Sequence, residues 1–276
     1  MIDQYAVIGN PIAHSRSPEI HAAFARQLGH QFTYRRIEAP RNDFAGTVQG
    51  FRHGGGKGAN VTVPFKLEAF AMATDHSQRA IAAGAANTLC FGPAPNVVFA
   101  DNTDGVGLVR DIRQNIGAPI SQQRVLVLGA GGAARGVLAA LAAEGPAELA
   151  IANRTFSKAQ QLLADLSPYL HDIRAHVIDI AALPEYRFDL VINATSASLF
   201  EDLPLIPCAC FDQNGLAYDM MYGKGLTPFL ALAQVSGAQA VDGIGMLVEQ
   251  AAESCWLWRG VRPETKPVIS MLKRAL

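Results

Sequence analysis

The sequence predicts an α/β fold. Three observations carry that prediction. Short β-type apolar runs alternate with helical patterns from end to end. A glycine-rich turn joins one such run directly to a helix near the centre of the chain. The 276 residues suffice for two units, each with its own core. No internal repeat or low-complexity segment breaks the alternation.

In the first third, strands are expected at 5–8, 33–38, 58–62, 87–91 and 97–100, with helices near 18–28, 43–52 and 65–73. His14-Ser15-Arg16-Ser17-Pro18 ends a loop and opens the first helix, with Ser17 expected at N-cap and Pro18 at N1. Ser15 and Ser17 then offer two hydroxyls at a positive helix end, an arrangement suited to a carboxylate. In Asn60-Val-Thr62-Val-Pro64-Phe-Lys66, a strand passes through a turn into a helix. Strand alternation puts Asn60 and Thr62 on one face. A cation in a first helical turn opposes the macrodipole, so Lys66 is either solvated or placed there for chemistry. Asn87 leads a strand. Asp104, in Asp101-Asn102-Thr103-Asp104-Gly105, precedes a helix, where an N-cap is its simplest structural role.

The segment 117–123 is a surface connection to a second α/β series that starts at Arg124. There the apolar run 125–128 leads straight into Gly129-Ala130-Gly131-Gly132-Ala133-Ala134 and a helix, the G-x-G-x-x-A form of the dinucleotide fingerprint. Gly129 permits the turn, Gly131 lets the backbone approach a pyrophosphate, and Ala134 allows close helix packing. The helix N-terminus supplies free N–H groups to the phosphates. Sites for the unphosphorylated cofactor place an acid at the end of the second strand, to hold the ribose 2′-hydroxyl. Here that strand runs into Asn153-Arg154-Thr155, with Lys158 a turn later. A guanidinium with a hydroxyl and an amide suits a 2′-phosphate, so NADP is the cofactor expected. Further buried-type strands follow at ELAIA, FDLVIN and LAYDM. The chain closes with helices near 243–259 and 264–275.

Composition narrows the function classes. A net charge of −1 supplies no basic face for nucleic acid. The longest apolar stretch falls far short of the roughly 20 residues of a membrane span, and no leader pattern precedes the first strand. Four scattered cysteines form no disulfide framework. The Cys208-Ala-Cys210 pair lacks partners for a metal, so no metal site and a cytoplasmic setting are expected. Three N-x-T sequons (Asn60, Asn153, Asn193) lie inside proposed sites and are read as unglycosylated. Residue chemistry alone therefore reaches an NADP-dependent oxidoreductase acting on a small polar anion.

The order GNPIAHSRSP, GANVTVPFK, GAANT, DNTDGVG, GAGGAARG, NRT, NAT, YDMMYGKGLTPFL and DGIGMLVEQAA resembles the shikimate dehydrogenase family over nearly the whole chain. The resemblance implies an N-terminal α/β substrate domain and a doubly wound parallel Rossmann domain with a cleft between them. Residues 1–106 and 248–276 would form the discontinuous substrate domain, and 107–247 the NADP domain. The implied reaction is reversible reduction of 3-dehydroshikimate to shikimate. Carried over by position, Ser15 and Ser17 hold the carboxylate with Tyr222 nearby. Asn60, Thr62, Asn87 and Gln250 line the ring-hydroxyl pocket, and Lys66 and Asp104 are the catalytic pair. Gly243 and Met246 lie near the nicotinamide, and Thr195 and Met220 also belong to the cofactor site.

An isolated lysine titrates near about 10.4 and an isolated aspartate near about 3.9, so a coupled pair suits neutral proton transfer better than either alone. Lys66 is taken as the proton-transfer group and Asp104 as its partner, the reverse assignment staying open on sequence alone. After Asn193-Ala194-Thr195 the family commonly has a glycine within three residues. Here Ser196-Ala197-Ser198-Leu199 follows, which places the geometry of that loop in question. A quinate/shikimate or aminoshikimate dehydrogenase is the nearest alternative. A non-catalytic regulator is disfavoured because Lys66 and Asp104 are both present. A monomer or homodimer is expected.

Overall fold

The computed structural model describes residues 2–94, 97–170, 173–195, 207–223 and 225–275. Two six-stranded sheets organise them. The first is built from β1 (Asp3–Gly9), β2 (Phe32–Glu38), β3 (Gly56–Val61), β4 (Asp75–His76), β5 (Thr88–Phe91) and β6 (Val98–Asp101), in the order β2-β1-β3-β5-β6-β4. Its pairs β1/β2, β1/β3 and β4/β6 are parallel, whereas β3/β5 and β5/β6 are antiparallel. Helices α1 (Ser17–Leu28), α2 (Phe44–His53), α3 (Lys66–Met72) and α4 (Gln78–Ala83) connect the strands. On one face Ala6, Ile8, Ala59, Val61 and Leu89 pack under Phe44, Val48 and Phe51 of α2 and under Phe65 and Ala69.

The second sheet comprises β7 (Arg124–Leu128), β8 (Glu148–Ala152), β9 (Arg174–Ile178), β10 (Phe188–Asn193), β11 (Phe211–Asp219) and β12 (Gln239–Val241), all parallel in the order β12-β11-β10-β7-β8-β9. That is the doubly wound order of a Rossmann domain, with its switch point between β7 and β10. Both faces are buried, as a parallel sheet requires. Val125 and Val127 enter one core, and Leu126 and Leu128 enter the other. The helices after β7, β8 and β11 are α6 (Gly132–Ala143), α7 (Phe156–Leu166) and α8 (Pro228–Val235).

Helix α5 (Asp104–Arg110) and a π-helical turn over Asp111–Ile116 carry the chain from the first sheet to the second. The segment 117–123 is largely exposed, as expected, and anchored by buried Ile120. At the end of the chain, α9 (Ile244–Arg259) and α10 (Lys266–Arg274) return to the N-terminal part. Ile244, Val248, Ala251 and Cys255 of α9, with Val268, Ile269 and Leu272 of α10, bury Ile20 and Phe24 of α1.

A buried joint fixes α9 against the Rossmann sheet. The Tyr218 hydroxyl on β11 donates to Asp111 Oδ2 (2.6 Å) and accepts the Met246 N–H (3.3 Å). Burial raises the Asp111 carboxyl, while hydrogen bonds from Tyr218 and then Asn115 oppose that effect. Tyr218→Phe strips this buried carboxyl and a helix N–H of a partner together. It is expected to lower the unfolding free energy by about 2 kcal/mol, read from a urea titration. A loss under about 0.5 kcal/mol, the size of an ordinary surface change, would show that the hydroxyl holds nothing.

One cap differs from expectation. Ser17 is the first residue of α1, not its N-cap, and Pro18 takes the second position. The Ile20 N–H already bonds the Arg16 carbonyl (3.2 Å), so the first turn closes one residue earlier and Arg16 becomes the flank. Ser15 Oγ faces the Ser17 N–H at 3.4 Å instead, and the Ser17 side chain is left to other partners.

Candidate active site

Lys66 begins α3 and Asp104 begins α5, on connections leaving the first sheet. The Lys66 Nζ donates to Asp104 Oδ2 at 2.5 Å, with both side chains mostly buried. Asp104 is not the cap of α5, since Thr103 flanks it. Its Oδ1 accepts Asn87 Nδ2 (2.8 Å). The carboxylate is thus committed to side chains across the site, not to its own helix.

Asn87 is the hub of the polar cluster. Its Oδ1 accepts the Thr103 N–H (2.8 Å) and the Thr88 hydroxyl (2.9 Å), and its Nδ2 also reaches Thr103 Oγ1 (3.0 Å) and Gln250 Oε1 (3.4 Å). Gln250 enters from α9, its Nε2 donating to the Leu247 carbonyl (2.8 Å). Asn60 Nδ2 donates to the Asn87 carbonyl (3.2 Å), Thr88 Oγ1 (3.1 Å) and Ser254 Oγ (2.9 Å), while its Oδ1 accepts the Tyr34 hydroxyl (2.7 Å). Lys66, Asp104, Asn60, Asn87 and Gln250 therefore share one network, although they lie up to 190 residues apart in the chain.

Thr62 stands one residue beyond β3, bonded through its N–H to the Ile8 carbonyl (2.9 Å), and its methyl lies against Gly9. Ser15 and Ser17 are buried and mutually hydrogen-bonded, Oγ to Oγ at 3.2 Å. Arg36 closes over them, its guanidinium donating to the Ser15 carbonyl. Tyr222 lies beside the same loop, sharing a small recess with Arg16, Ile244 and Leu247. Burial raises its phenol, and the Arg16 backbone and charge oppose the shift.

Sequence reasoning passed over Tyr34, Thr103 and Ser254. Tyr34 bridges Asn60 and the Ser17 side of the site, and burial pushes its phenol upward while Ser17 opposes that rise. His21 stacks on Tyr34, ring centroids 4.1 Å apart, and full burial lowers its imidazole to about 3, so it stays neutral. Ser254 could have been found from the helical spacing, because it lies one turn after Gln250. Nothing in the local sequence marked Tyr34.

The second group of expected residues surrounds the carboxyl ends of β7, β8, β10 and β11. Gly129 has φ +110°, a conformation open to glycine, and its N–H bonds the Ala152 carbonyl (2.8 Å). Gly131 flanks α6 and Gly132 begins it. A Cβ on either would meet nothing within 4 Å, so their backbones face open space at a helix N-terminus, as a pyrophosphate cradle requires. Ala130 and Ala133 are partly buried beside them, and Ala134 is buried where α6 meets the sheet. Arg154, Thr155 and Lys158 are exposed at the end of β8, and the Asn153 amide braces that turn through the Thr155 carbonyl (2.9 Å). These residues fit a dinucleotide bearing a 2′-phosphate.

Thr195 bonds Asn193 Oδ1 through its N–H (3.1 Å) and hydroxyl (2.7 Å), and Met220 N–H bonds the Asn193 carbonyl (3.0 Å). Gly243 flanks α9 so closely to the Met220 carbonyl that a Cβ would overlap it. Met246 is buried one turn before Gln250 on α9. Helix α6 brings the two groups together, since a Cβ on Gly136 would stand 3.1 Å from Asp104 Oδ2. The run Ser196-Ala197-Ser198-Leu199 lies outside the described residues. Among the described residues no cluster of three metal-ligating side chains occurs, and no helix is long and apolar enough to cross a membrane.

Comparison with known proteins agrees with this arrangement. Residues 7–89 match a family model described as the shikimate dehydrogenase substrate binding domain. Residues 111–201 match the shikimate / quinate 5-dehydrogenase model, and 243–270 match the shikimate 5′-dehydrogenase C-terminal domain. A shikimate dehydrogenase (NADP(+)) of Aromatoleum aromaticum is 56% identical over 276 residues, covering 100% of this chain and 98% of its own. The protein of the same name from Nitrosospira multiformis is 57% identical over 284 residues, with 100% and 99% covered. Among solved structures, shikimate 5-dehydrogenase of Thermus thermophilus in complex with NADP(H) and shikimate has a TM-score of 0.86 at 32% identity, covering 100% of both chains. An Ael1 enzyme from Pseudomonas putida has a TM-score of 0.89 at 50% identity, covering 98% of both.

Proposed function

This chain belongs to the shikimate dehydrogenase family, and on that premise we propose that Lys66 and Asp104 perform its proton transfer while the serine pair and the Asn87 network hold the substrate. The protein is an NADP-dependent oxidoreductase that reversibly reduces 3-dehydroshikimate to shikimate. The observation that carries the residue roles is the Lys66–Asp104 contact at 2.5 Å, set among Asn87, Thr103 and Gln250.

Asp104 has both oxygens occupied by donors, Asn87 on Oδ1 and Lys66 on Oδ2, which favours its role as a fixed acceptor. Lys66 has further N–H donors beyond the one given to Asp104, so its Nζ can meet the carbonyl oxygen of the ketone and pass it a proton. In oxidation the same nitrogen takes the hydroxyl proton. NADP, when bound, supplies or receives the hydride. Ser15, Ser17 and Tyr222 offer three hydroxyls for the carboxylate. Asn60, Asn87 and Gln250 line the wall for the ring hydroxyls, with Asn60 braced by Tyr34, Thr88 and Ser254 and Asn87 by Thr88, Thr103 and Asp104. Thr62 completes the pocket at the end of β3. The glycine turn 129–132 with Ala130 and Ala133 would hold the pyrophosphate, Asn153, Arg154, Thr155 and Lys158 the 2′-phosphate, and Thr195, Met220, Gly243 and Met246 the nicotinamide end.

The division into 1–106 with 248–276 and 107–247 belongs to the same reading, as do a cytoplasmic location and a monomeric or homodimeric state. The packing of α9 and α10 on α1 and the separate sheets support the division. Initial rates of shikimate and quinate oxidation, each with NADP⁺ and NAD⁺ at matched concentrations, test the substrate assignment. Activity is expected with shikimate and NADP⁺, at least about tenfold above any other pairing. Comparable rates with quinate and NAD⁺ would favour the alternative of a quinate/shikimate dehydrogenase.

A further inference from the structure

Outside the reacting pair, Glu253 of α9, 4% exposed, is a buried carboxylate that gathers three arginines. Its Oε1 accepts Arg79 Nη1 (2.8 Å), and its Oε2 accepts Arg110 Nη1 (2.5 Å) and Arg262 Nη1 (2.7 Å). Burial alone would raise its carboxyl. The hydrogen bonds from Arg79 and Arg110 outweigh that effect and hold it below the ordinary carboxylate range, so it is ionised at neutral pH. Replacing such a cluster by apolar side chains is often neutral for stability, so stability alone does not account for it. Its directionality is the notable feature.

Two of its three arginines lead to the segment that carries Asp104. Arg110 is the last residue of α5, which Asp104 begins. Arg79 grips Asp101 at the end of β6, with Nε 3.1 Å from Oδ1 and Nη2 2.5 Å from Oδ2. Asp101 Oδ1 also accepts the Asn102 N–H (2.7 Å), and Asn102 Oδ1 accepts the Asp104 N–H (3.1 Å). Glu253 thus fastens residues 101–110 at both ends. On the adjoining faces of α9, Gln250 and Ser254 meet the Asn87 network.

We infer that Glu253 is a positioning residue for the reaction: through Arg79 and Arg110 it sets the Asp104 carboxylate at the place where Lys66 must be held. This rests on the reading of Lys66 and Asp104 as the proton-transfer couple. Glu253→Gln keeps the shape and one accepting oxygen but gives up the charge and turns an amide N–H₂ towards a guanidinium. A displacement of Asp104 by a fraction of an ångström is expected to lower kcat for shikimate oxidation about tenfold, since misplacement by about 1 Å can cost on the order of 10²-fold. KM for shikimate and for NADP⁺ should stay within about twofold, because both Glu253 oxygens are taken by arginines.

The deciding measurement is a double-mutant cycle with Asp104→Asn, run on the full enzyme by initial rates. If Glu253 acts through Asp104, its tenfold effect shrinks to less than about twofold in the Asp104→Asn background. An equal factor in both backgrounds overturns the inference, as does unchanged kcat in Glu253→Gln. Should Glu253→Gln fail to fold, Arg110→Gln removes the tie to α5 alone and goes through the same cycle. There too a shrunken factor supports the inference and an equal factor overturns it. Lys66→Ala separates the two claims. If it keeps its turnover, the couple itself fails. If it is inactive while the Glu253 and Arg110 variants keep kcat, only the positioning role falls.

Discussion

Lys66→Ala is expected to lower kcat for shikimate oxidation by about 10³-fold while leaving NADPH affinity within about twofold. The size follows from positioned acid–base groups, which typically contribute about 10²–10⁴-fold. The selectivity follows from geometry. Lys66 starts α3 beside Asp104 on the substrate side, whereas the fingerprint turn and Arg154 lie at the ends of β7 and β8. Removing the ammonium leaves Asp104 Oδ1 on Asn87 and strips Oδ2 of its donor, a loss confined to the substrate side of the site. Single-turnover hydride transfer and a fluorescence titration of NADPH would read the two quantities separately. Turnover within about threefold of the parent would remove Lys66 from the mechanism. A parallel fall in NADPH affinity would show that the lysine serves the cofactor.

Arg154→Ala is expected to weaken NADPH by roughly 10- to 100-fold and NADH by less than about twofold. A hydrogen bond to a charged group is worth about 1.5–3 kcal/mol, and about 1.4 kcal/mol is tenfold in affinity. Arg154 is exposed after β8, with Thr155 and Lys158 also exposed, and no acidic side chain occupies the position that would hold a free 2′-hydroxyl. The effect should shrink as salt rises, since phosphate and guanidinium meet at the surface. Dissociation constants for both nucleotides at two ionic strengths would decide it. Equal losses for NADPH and NADH would assign Arg154 to general cofactor binding and leave the 2′-phosphate to Lys158 or Thr155.

The dinucleotide half was legible because its signals are local. A strand, a turn with a glycine at φ +110° and a helix follow one another within twenty residues, and each constrains the next. The strands of the first sheet were found to within two residues wherever the apolar run was four residues or more. Strand β4, two residues long, exists because Asp75 and His76 pair with Phe99 and Ala100, and no propensity in so short a piece could announce it. Helix α4 did carry a sign, Ser77 three residues before Ala80, whose N–H it caps at 3.0 Å. The expected cap at Ser17 failed by one residue, since side chains of the same type flank the start and the backbone bond from Ile20 to Arg16 chose between registers.

Resemblance to the family, not local pattern, pointed to the polar residues on the substrate side, and it left out Tyr34, Thr103, Ser254 and Glu253. The sequence by itself determined the α/β class, the parallel Rossmann half and the preference for a phosphorylated nucleotide. Those rest on chain-local physics, namely period, turn chemistry and the charge type at a strand end. Only the tertiary structure decided which of those residues meet. Lys66 and Asp104 are brought to 2.5 Å by two different crossovers. Tyr34 and Ser254 join Asn60 from β2, which lies beyond β1 in the sheet, and from a helix close to the end of the chain. Glu253 collects arginines from α4, α5 and the segment before α10. Hydrogen bonds between side chains depend on separations of tenths of an ångström, and the packing of sheets and helices sets those separations across distances in sequence that no local pattern spans.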